Sequence, residues 1–437
     1  MTLDTLLQRR ESEGRPVRIG LVGAGTTGAS IALQLLTPIP GLHLAAIANR
    51  TAERAHEAFV QGGVLRPEAA SDAESLARIV ERGGHAVVAE AAMLCRSPVI
   101  DVIVEVTGTV EFAAAVTLNA IAGGKHVVLV NAELDATLGP LLAARARDAG
   151  VVLTNTDGDE PGVAMTLLRY LRSIGLRPVA AGNLKGLIDH YRTPETQREF
   201  AAQHGQDARK VTSFADATKL SMEATILANA TGWRVGRRGM YGPRCSQISE
   251  IAGLLPAEEM LSGGLVDYAL GAAPHTGAFV VVHEPRPAQQ KHLAYYKLGS
   301  GPFYVFYTPF HLPHIQVAAT IARAALLGDP TVTAPGAPCC ETIAIAKRAL
   351  IAGEVLDGIG GFCAYGLIEN AAVARAAGAL PMGLLEGCRL RRPVARDELL
   401  TFDDVDLPED RLSDKLWEEQ TRRFAQQPQV ASMAEKP

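Results

Sequence analysis

A glycine-rich turn between a predicted buried strand and a predicted helix constrains the fold of this chain most. The apolar residues 17–22 predict a short strand, and Gly23, Gly25 and Gly28 follow it with the spacing G-x-G-x-x-G. The apolar pattern then becomes helical, and a second strand is predicted about 20 residues after the turn. Strands that alternate with helices in this way form a parallel sheet. We therefore predict an α/β fold with a doubly wound parallel sheet of the Rossmann type.

The alternation of strands and helices defines the predicted domains. It covers residues 15–157, and the pattern then changes to a helix followed by strands with Gly/Pro turns, which is typical of an α+β domain. We place that second domain at residues 158–330 and expect it to hold the substrate and to mediate oligomerisation. Its last helix, 312–328, is expected to pack back on the first domain. A small β-rich domain is predicted at 339–410 and a charged, partly helical tail at 411–437.

Composition excludes several classes of function. The chain has 437 residues, 48% of them hydrophobic, and a formal net charge of −5. This charge argues against binding to nucleic acid, which relies on a basic surface. We find neither an apolar run of the roughly 18 residues that a spanning helix needs nor a signal peptide, and the six cysteines form no CxxC pair. We predict a cytoplasmic enzyme that does not associate with membranes.

The glycine-rich turn has the context of a dinucleotide-binding site. Gly23 would allow the tight turn, Gly25 would let a pyrophosphate approach the backbone, and Gly28 would let helix and strand pack closely. Thr26 and Thr27 open the helix, whose free N–H groups attract phosphate. The alternative is a glycine-rich turn that binds no ligand.

The end of the second predicted strand favours NADP(H). NAD sites usually have an acidic residue there, but this chain has Asn49 and Arg50, and a guanidinium suits a 2′-phosphate. Alternatively, Arg50 is solvated and NAD binds with little discrimination. Later strand ends would place Thr107 and Gly108 at the nicotinamide.

The strand at 126–130 brings two more polar residues to the edge of the sheet where ligands bind. Asn131 is predicted to contact the cofactor. Glu133 is predicted to contact the substrate, although a surface carboxylate is an equal alternative.

Candidate catalytic groups lie in a helix-forming stretch of the second domain. Asp216, Lys219 and Glu223 are spaced i, i+3 and i+7, so one helix would present all three on one face. Two carboxylates around one ammonium could transfer protons. The alternative is an ordinary surface ion pair between Lys219 and Glu223.

Other candidates could contact a substrate or a metal ion. Glu160 follows the last strand of the first domain, and a divalent metal there is possible but not required by the pattern. His311 and His314 could serve a polar site or simply make hydrogen bonds at a helix start. Lys185 and Lys297 lie beside glycines that would let a phosphate approach.

Several motifs resemble the homoserine dehydrogenase superfamily. The likeness lies in the glycine-rich turn, the Glu-Val-Thr-Gly strand end at 105–108, the Gly-Lys-His-Val-Val stretch at 124–128, and the segment with Asp216 and Lys219. In that superfamily the matching Asp and Lys are catalytic. One departure is that Ala132 follows Asn131, where homoserine dehydrogenases have lysine, which puts amino-acid substrates in doubt.

The chain resembles more closely a branch that carries a C-terminal SAF-type domain. This likeness rests on four runs of sequence, at residues 131–140, 307–314, 346–361 and 394–400. The resemblance implies a homo-oligomer that uses NADPH to convert a phosphorylated sugar, 1-deoxy-D-xylulose 5-phosphate, into 2-C-methyl-D-erythritol 4-phosphate for isoprenoid synthesis. The alternatives are a simple dehydrogenase of a hydroxy acid or sugar acid, and a cofactor-sensing protein without catalysis.

Overall fold

The computed structural model divides the chain into two compact units, Met1–Asp159 with Leu312–Thr333 and Glu160–His311 with Ala334–Pro437. Residues 2–425 are described. The end of the predicted tail, residues 426–437, lies outside this described part.

The helices and strands follow one another in chain order. The first part of the chain contains α1 (Leu3–Ser12), β1 (Val17–Val22), α2 (Thr26–Leu35), β2 (Leu42–Ala48), α3 (Ala52–Gln61), β3 (Glu68–Ala69), α4 (Ala73–Glu81), β4 (Ala86–Val88), α5 (Ala91–Arg96), β5 (Val102–Glu105), α6 (Glu111–Ala122), β6 (His126–Leu129), α7 (Ala132–Asp148) and β7 (Leu153–Asn155). The remainder contains α8 (Glu160–Ser173), β8 (Arg177–Lys185), α9 (Arg198–Gln203), α10 (Ala208–Ala215), α11 (Thr218–Thr231), α12 (Ile251–Leu254), α13 (Ala257–Leu261), β9 (Leu265–Leu270), β10 (Ala278–His283), α14 (Pro287–Tyr295), β11 (Phe303–Thr308), α15 (Pro313–Leu327), β12 (Cys340–Ala346), β13 (Ala364–Asn370), α16 (Ala371–Ala376), β14 (Arg389–Leu390), β15 (Val405–Asp406) and α17 (Leu412–Phe424).

The first unit is built on a seven-stranded sheet in the order β3-β4-β2-β1-β5-β6-β7. Every neighbouring pair in this sheet is parallel. The apolar strands are buried because helices cover a parallel sheet on both faces. Helix α15 belongs to this unit, where Val317 and Ile321 share a buried core with Ile19 and Ile31. The predicted α/β class with a doubly wound parallel sheet is confirmed.

The second unit contains a four-stranded mixed sheet in the order β11-β10-β8-β9. Strand β8 pairs antiparallel with β10 and parallel with β9. Two small antiparallel sheets, β12–β13 and β14–β15, follow in the C-terminal part of this unit. Residues 293–298, where the sequence pattern also predicts a strand, form none: residues 293–295 end α14 and residues 296–298 are turn and bend. The sequence from Pro287 to Tyr295 consists mainly of helix-forming residues and has proline at the first position.

No helix among the residues that the structure describes is both long enough and apolar enough to span a membrane.

Candidate functional site

Two glycines of the glycine-rich turn in the first unit have different surroundings: Gly25 faces open space, and Gly28 packs closely against the protein backbone. A Cβ at Gly28 would lie 2.2 Å from the carbonyl oxygen of Gly23, whereas a Cβ at Gly25 would have no protein atom within 4 Å. Gly23 has φ +108°, a conformation that favours glycine. The exposed Gly25 and Thr26 and the half-buried Thr27 open α2, whose first N–H groups suit a pyrophosphate. This open cradle fits the predicted dinucleotide.

Asn49 shapes the turn. Its Oδ1 accepts a hydrogen bond of 3.0 Å from the backbone N–H of Ala24, and its Nδ2 donates one of 2.8 Å to the carbonyl of Thr51. Both ends of the amide are therefore used by the protein. Asn49 thereby fixes the turn, and its predicted contact with the cofactor stays a prediction. Arg50, the next residue, is exposed.

A buried carboxylate organises the ends of β5 and β6. Glu105 accepts hydrogen bonds from the backbone N–H of Thr107 at 2.8 Å, from the Thr107 hydroxyl, and from Asn131 Nδ2 at 2.7 Å. Asn131 also caps α7 through Leu134 N–H at 3.0 Å. Asn131 is thus engaged within the protein, and its predicted role as a direct cofactor ligand becomes the positioning of the Thr107 loop.

Gly108, in that loop, is exposed with φ +67°, and a Cβ there would meet open space. It keeps its predicted place among the residues that could line a nicotinamide site. Glu133 is half-buried in the first turn of α7.

Two buried carboxyl groups make the stability of the first unit depend on pH. Burial raises the pKa of Glu105 and of Asp135 to about 7 each. The folded protein therefore binds these protons more tightly than the unfolded chain, and stability falls as pH rises through the range from about 4 to 7.

We expect the thermal midpoint to decrease as the pH rises from 5 to 8. The substitution Asp135→Asn should make this decrease smaller. Asparagine keeps an oxygen to accept the 3.1 Å hydrogen bond from Asn155 and removes the titration. Each pKa unit corresponds to about 1.4 kcal/mol. Glu160, whose pKa lies below its ordinary value, affects stability only below about pH 4.5. Calorimetric scans of both proteins across this range measure the effect, and identical slopes would contradict it.

The second unit brings five predicted or neighbouring polar groups into one buried cluster. Lys185 Nζ pairs with Glu160 and lies 3.5 Å from Glu223 Oε2. Lys219 Nζ lies 3.6 Å from the other oxygen, Glu223 Oε1, and Asn183 Nδ2 donates to Glu223 at 3.0 Å. Two ammonium groups thus flank one carboxylate. Asn183 was not predicted, although its i, i+2 spacing to Lys185 on β8 would have placed it on the same face.

Glu160 begins α8 and is 3% exposed. Burial alone would raise the pKa of its carboxyl, but the Lys185 ammonium and the His311 imidazole beside it hold the pKa at about 2. His311 Nε2 lies 3.8 Å from Glu160 Oε1. The carboxylate stays ionised, so it can bind a cation or accept a hydrogen bond from a substrate hydroxyl group. A divalent metal remains a prediction, with Glu160 and His311 as candidate ligands in this unit.

Asp216 lies outside this cluster, and the prediction of one helix face shared by Asp216, Lys219 and Glu223 is wrong. Asp216 follows α10, and Ala217 takes the left-handed conformation with φ +73° before α11 begins at Thr218. The Asp216 carboxylate is fully buried and pairs with Lys347 at 2.8 Å. Only Lys219 and Glu223 share the face as predicted.

Two other predicted contacts lie elsewhere. Lys297 lies in the connection between β10 and β11. This connection begins after His283, the last residue of β10, and His283 pairs with Arg177 at the start of β8. Lys185 is at the other end of β8, about 26 Å away at the usual strand rise. The strand pairing therefore does not place Lys297 beside Lys185, and its predicted contact with the substrate stays a prediction. His314 lies in the first turn of α15 and thus in the first unit, whereas His311 belongs to the second.

Two family models match consecutive parts of the chain. Residues 23–154 match "Homoserine dehydrogenase, NAD binding domain", and residues 158–317 match "Oxidoreductase DRL, catalytic domain". The first range contains the glycine-rich turn, and the second contains every member of the Lys185 cluster. The chain therefore contains a region similar to the NAD-binding domain of homoserine dehydrogenases, followed by a region similar to the catalytic domain of DRL oxidoreductases.

The chain is also similar to individual proteins. A homoserine dehydrogenase of Pseudomonas aeruginosa is 32% identical over 139 residues, which are 32% of this chain and 28% of that protein. The structure of a homoserine dehydrogenase from Thiobacillus denitrificans has a TM-score of 0.44 at 14% identity, covering 88% of this chain and 98% of that one. A probable dehydrogenase from Thermotoga maritima has a TM-score of 0.40 at 12% identity, covering 72% of this chain and 90% of that one.

Proposed function

We propose that the chain is an NADP(H)-dependent dehydrogenase that interconverts a hydroxyl and a carbonyl group on a small hydroxylated substrate, such as a hydroxy acid or sugar acid. The observation that carries this proposal is the pair of ammonium groups, Lys185 and Lys219, on the buried carboxylate of Glu223. The two family matches support the class of reaction.

The cofactor, when bound, supplies or accepts the hydride. The N–H groups at the start of α2 and the open face of Gly25 would hold its pyrophosphate, and Arg50 would hold a 2′-phosphate. Gly108 and the Thr107 loop, which Glu105 and Asn131 fix, would line the nicotinamide.

The groups of the second unit would bind the substrate and move its proton. Lys219 would donate a proton to the substrate oxygen during reduction and recover it during oxidation. Glu223 orients Lys219 and also accepts from Asn183, so the ammonium is held in place before substrate binds. Lys185, held by Glu160, would bind an anionic group or a second oxygen of the substrate.

A second candidate is the reductoisomerase activity that the sequence resemblance implies. Two lysines that flank one carboxylate also suit a phosphorylated ketose, because a phosphate group attracts more than one cation. In that case Glu160 and His311 would be the candidate ligands for a divalent ion. A homo-oligomer, a C-terminal SAF-type domain and a cytoplasmic location belong to the same proposal.

One assay separates the two candidates. Purified protein is incubated with NADPH and 1-deoxy-D-xylulose 5-phosphate, with and without Mg²⁺ or Mn²⁺, and separately with NADP⁺ and a panel of hydroxy acids and sugar acids. NADPH consumption with the ketose phosphate supports the reductoisomerase if NMR identifies the product as the branched 2-C-methyl-D-erythritol 4-phosphate. NADP⁺ reduction by a panel member, with no reaction of the ketose phosphate, supports the dehydrogenase. No change in either arm would contradict both.

The choice between NADPH and NADH is expected to depend on Arg50. Arg50→Asp should weaken NADPH binding at least tenfold more than NADH binding, because it removes a cation from the 2′-phosphate and introduces an acceptor for a 2′-hydroxyl. Arg78→Asp, the same charge change at an exposed position of α4, is the control and should leave the ratio unchanged. Calorimetric titration with both cofactors measures the ratio. Equal losses for the two cofactors would show that Arg50 does not contact the ribose.

A further inference from the structure

Helix α11, which carries Lys219 and Glu223, starts from a strained turn. Ala217 is buried and has φ +73°, a left-handed conformation that is unfavourable for alanine because its Cβ crowds the backbone. In the preceding residue, Asp216 Oδ1 accepts a hydrogen bond of 2.9 Å from the backbone N–H of Thr218. A strained residue persists where surrounding contacts fix it, and at this turn the contacts of Asp216 do so.

The second oxygen of Asp216 is bound by Lys347, from the end of β12. Lys347 Nζ donates to Asp216 Oδ2, to the carbonyl of Arg192 and to the carbonyl of Gly361, each at 2.8 Å. These three bonds use all three hydrogens of the ammonium. Lys347 is 4% exposed, and Asp216 is fully buried. The pair is therefore a buried contact between the start of α11 and the C-terminal part of the second unit.

The same C-terminal part also holds α11 along a second face. The Thr218 hydroxyl accepts from Gly366 N–H at 2.8 Å, and the hydroxyls of Thr225 and Thr342 are 2.9 Å apart. Further along the helix, Asn229 Oδ1 accepts hydrogen bonds from the backbone N–H groups of residues 339 and 340, at 2.7 and 3.0 Å. Residues 218, 225 and 229 are separated by seven and then four positions, a spacing that places them on one side of the helix. Lys219 and Glu223 form a different side.

We infer that Lys347 is a positioning residue, which acts through Asp216 to fix the start of α11 and thereby the placement of Lys219 and Glu223 against Lys185. This inference rests on the proposed function. It gives the C-terminal part of the chain a role in turnover. It also changes the role of Asp216 from a catalytic candidate to a residue that positions α11. Both oxygens of Asp216 are bound within the protein, so Asp216 acts on the substrate only through α11.

The test uses the full-length protein with Lys347→Met and Asp216→Asn combined. Lys347→Met alone would leave a buried carboxylate without its cation and can prevent folding. The double variant removes both charges, and the amide oxygen of the introduced asparagine can still accept from Thr218 N–H. The matched control is Arg392→Met with Asp404→Asn, which removes another ion pair of the C-terminal part, 2.6 Å long with Asp404 buried.

Two readouts are needed. We expect kcat to fall about 10- to 100-fold, as displaced catalytic groups do, with KM and cofactor Kd within threefold of the wild type. We also expect hydrogen exchange at residues 217–224 to accelerate at least tenfold. The control pair should change neither readout, even if it lowers the thermal midpoint equally.

The outcomes separate this inference from the proposed function. A folded double variant with wild-type kcat, or with unchanged exchange at the start of α11, overturns the positioning role. If the wild type turns over none of the substrates tested, the proposed function fails, and exchange at 217–224 still decides whether Lys347 and Asp216 fix the helix.

Discussion

Lys219→Ala is expected to lower kcat by about 10²- to 10⁴-fold, the usual contribution of a positioned proton donor. Lys219 is placed for this work because its ammonium lies 3.6 Å from a carboxylate that is itself 2% exposed. Cofactor affinity should barely change, because the glycine-rich turn belongs to the other compact unit. Turnover and cofactor Kd, measured on one preparation, test both parts of the expectation.

The stability of the Lys219→Ala protein distinguishes this role from a structural one. Glu223 keeps Lys185 at 3.5 Å and Asn183 at 3.0 Å, so we expect a loss of only about 1 kcal/mol. Arg422→Met is the control, because Arg422 forms an i, i+4 pair with Glu418 at 3.5 Å in which both side chains are exposed. Both variants should keep nearly the wild-type thermal midpoint, and only Lys219→Ala should lose turnover. Wild-type turnover in Lys219→Ala would contradict the proposed mechanism.

Sequence periodicity predicted the elements whose residues are determined locally. The strand at 17–22 has the predicted bounds, and the glycine-rich turn has the predicted packing at Gly28. The i, i+4 relation of Lys219 and Glu223 was also correct. In each case the deciding information lies within one turn or one strand.

The misplacement of Asp216 had a non-local cause. Alanine rarely adopts a left-handed conformation, so Ala217 gave no signal that the helix is interrupted there. The contact that fixes this turn comes from Lys347, 131 residues later in the chain. Spacing within a single segment could not reveal that pairing.

Asn131 and Asn49 show a second limit. Both lie at strand ends, where ligands bind in such sheets, and this position alone suggested cofactor contacts. In the structure both amides make hydrogen bonds within the protein, Asn131 to Glu105 and Asn49 to the backbone N–H of Ala24. A polar residue at a strand end can shape the loop that meets the ligand, and only its hydrogen-bond partners distinguish the two roles.

Gly25→Val is expected to weaken binding of NADPH and NADH at least 100-fold while the protein stays folded. A valine side chain there would occupy the space of the pyrophosphate, since no protein atom lies within 4 Å of the added Cβ. The backbone of Gly25, at φ −73° and ψ −172°, is extended and accepts valine without strain. The thermal midpoint should therefore stay within a few degrees of the wild type.

Gly28→Ala provides the contrast. Its Cβ would lie 2.2 Å from the Gly23 carbonyl oxygen, so the turn must shift and the thermal midpoint should fall. Together the two variants separate a glycine kept for the ligand from a glycine kept for packing. Calorimetric titration of Gly25→Val with each cofactor, beside a thermal scan of both variants, measures the difference. Normal cofactor binding by a folded Gly25→Val protein would exclude this turn as the pyrophosphate site, because the added methyl groups leave no room for phosphate oxygens against the backbone there.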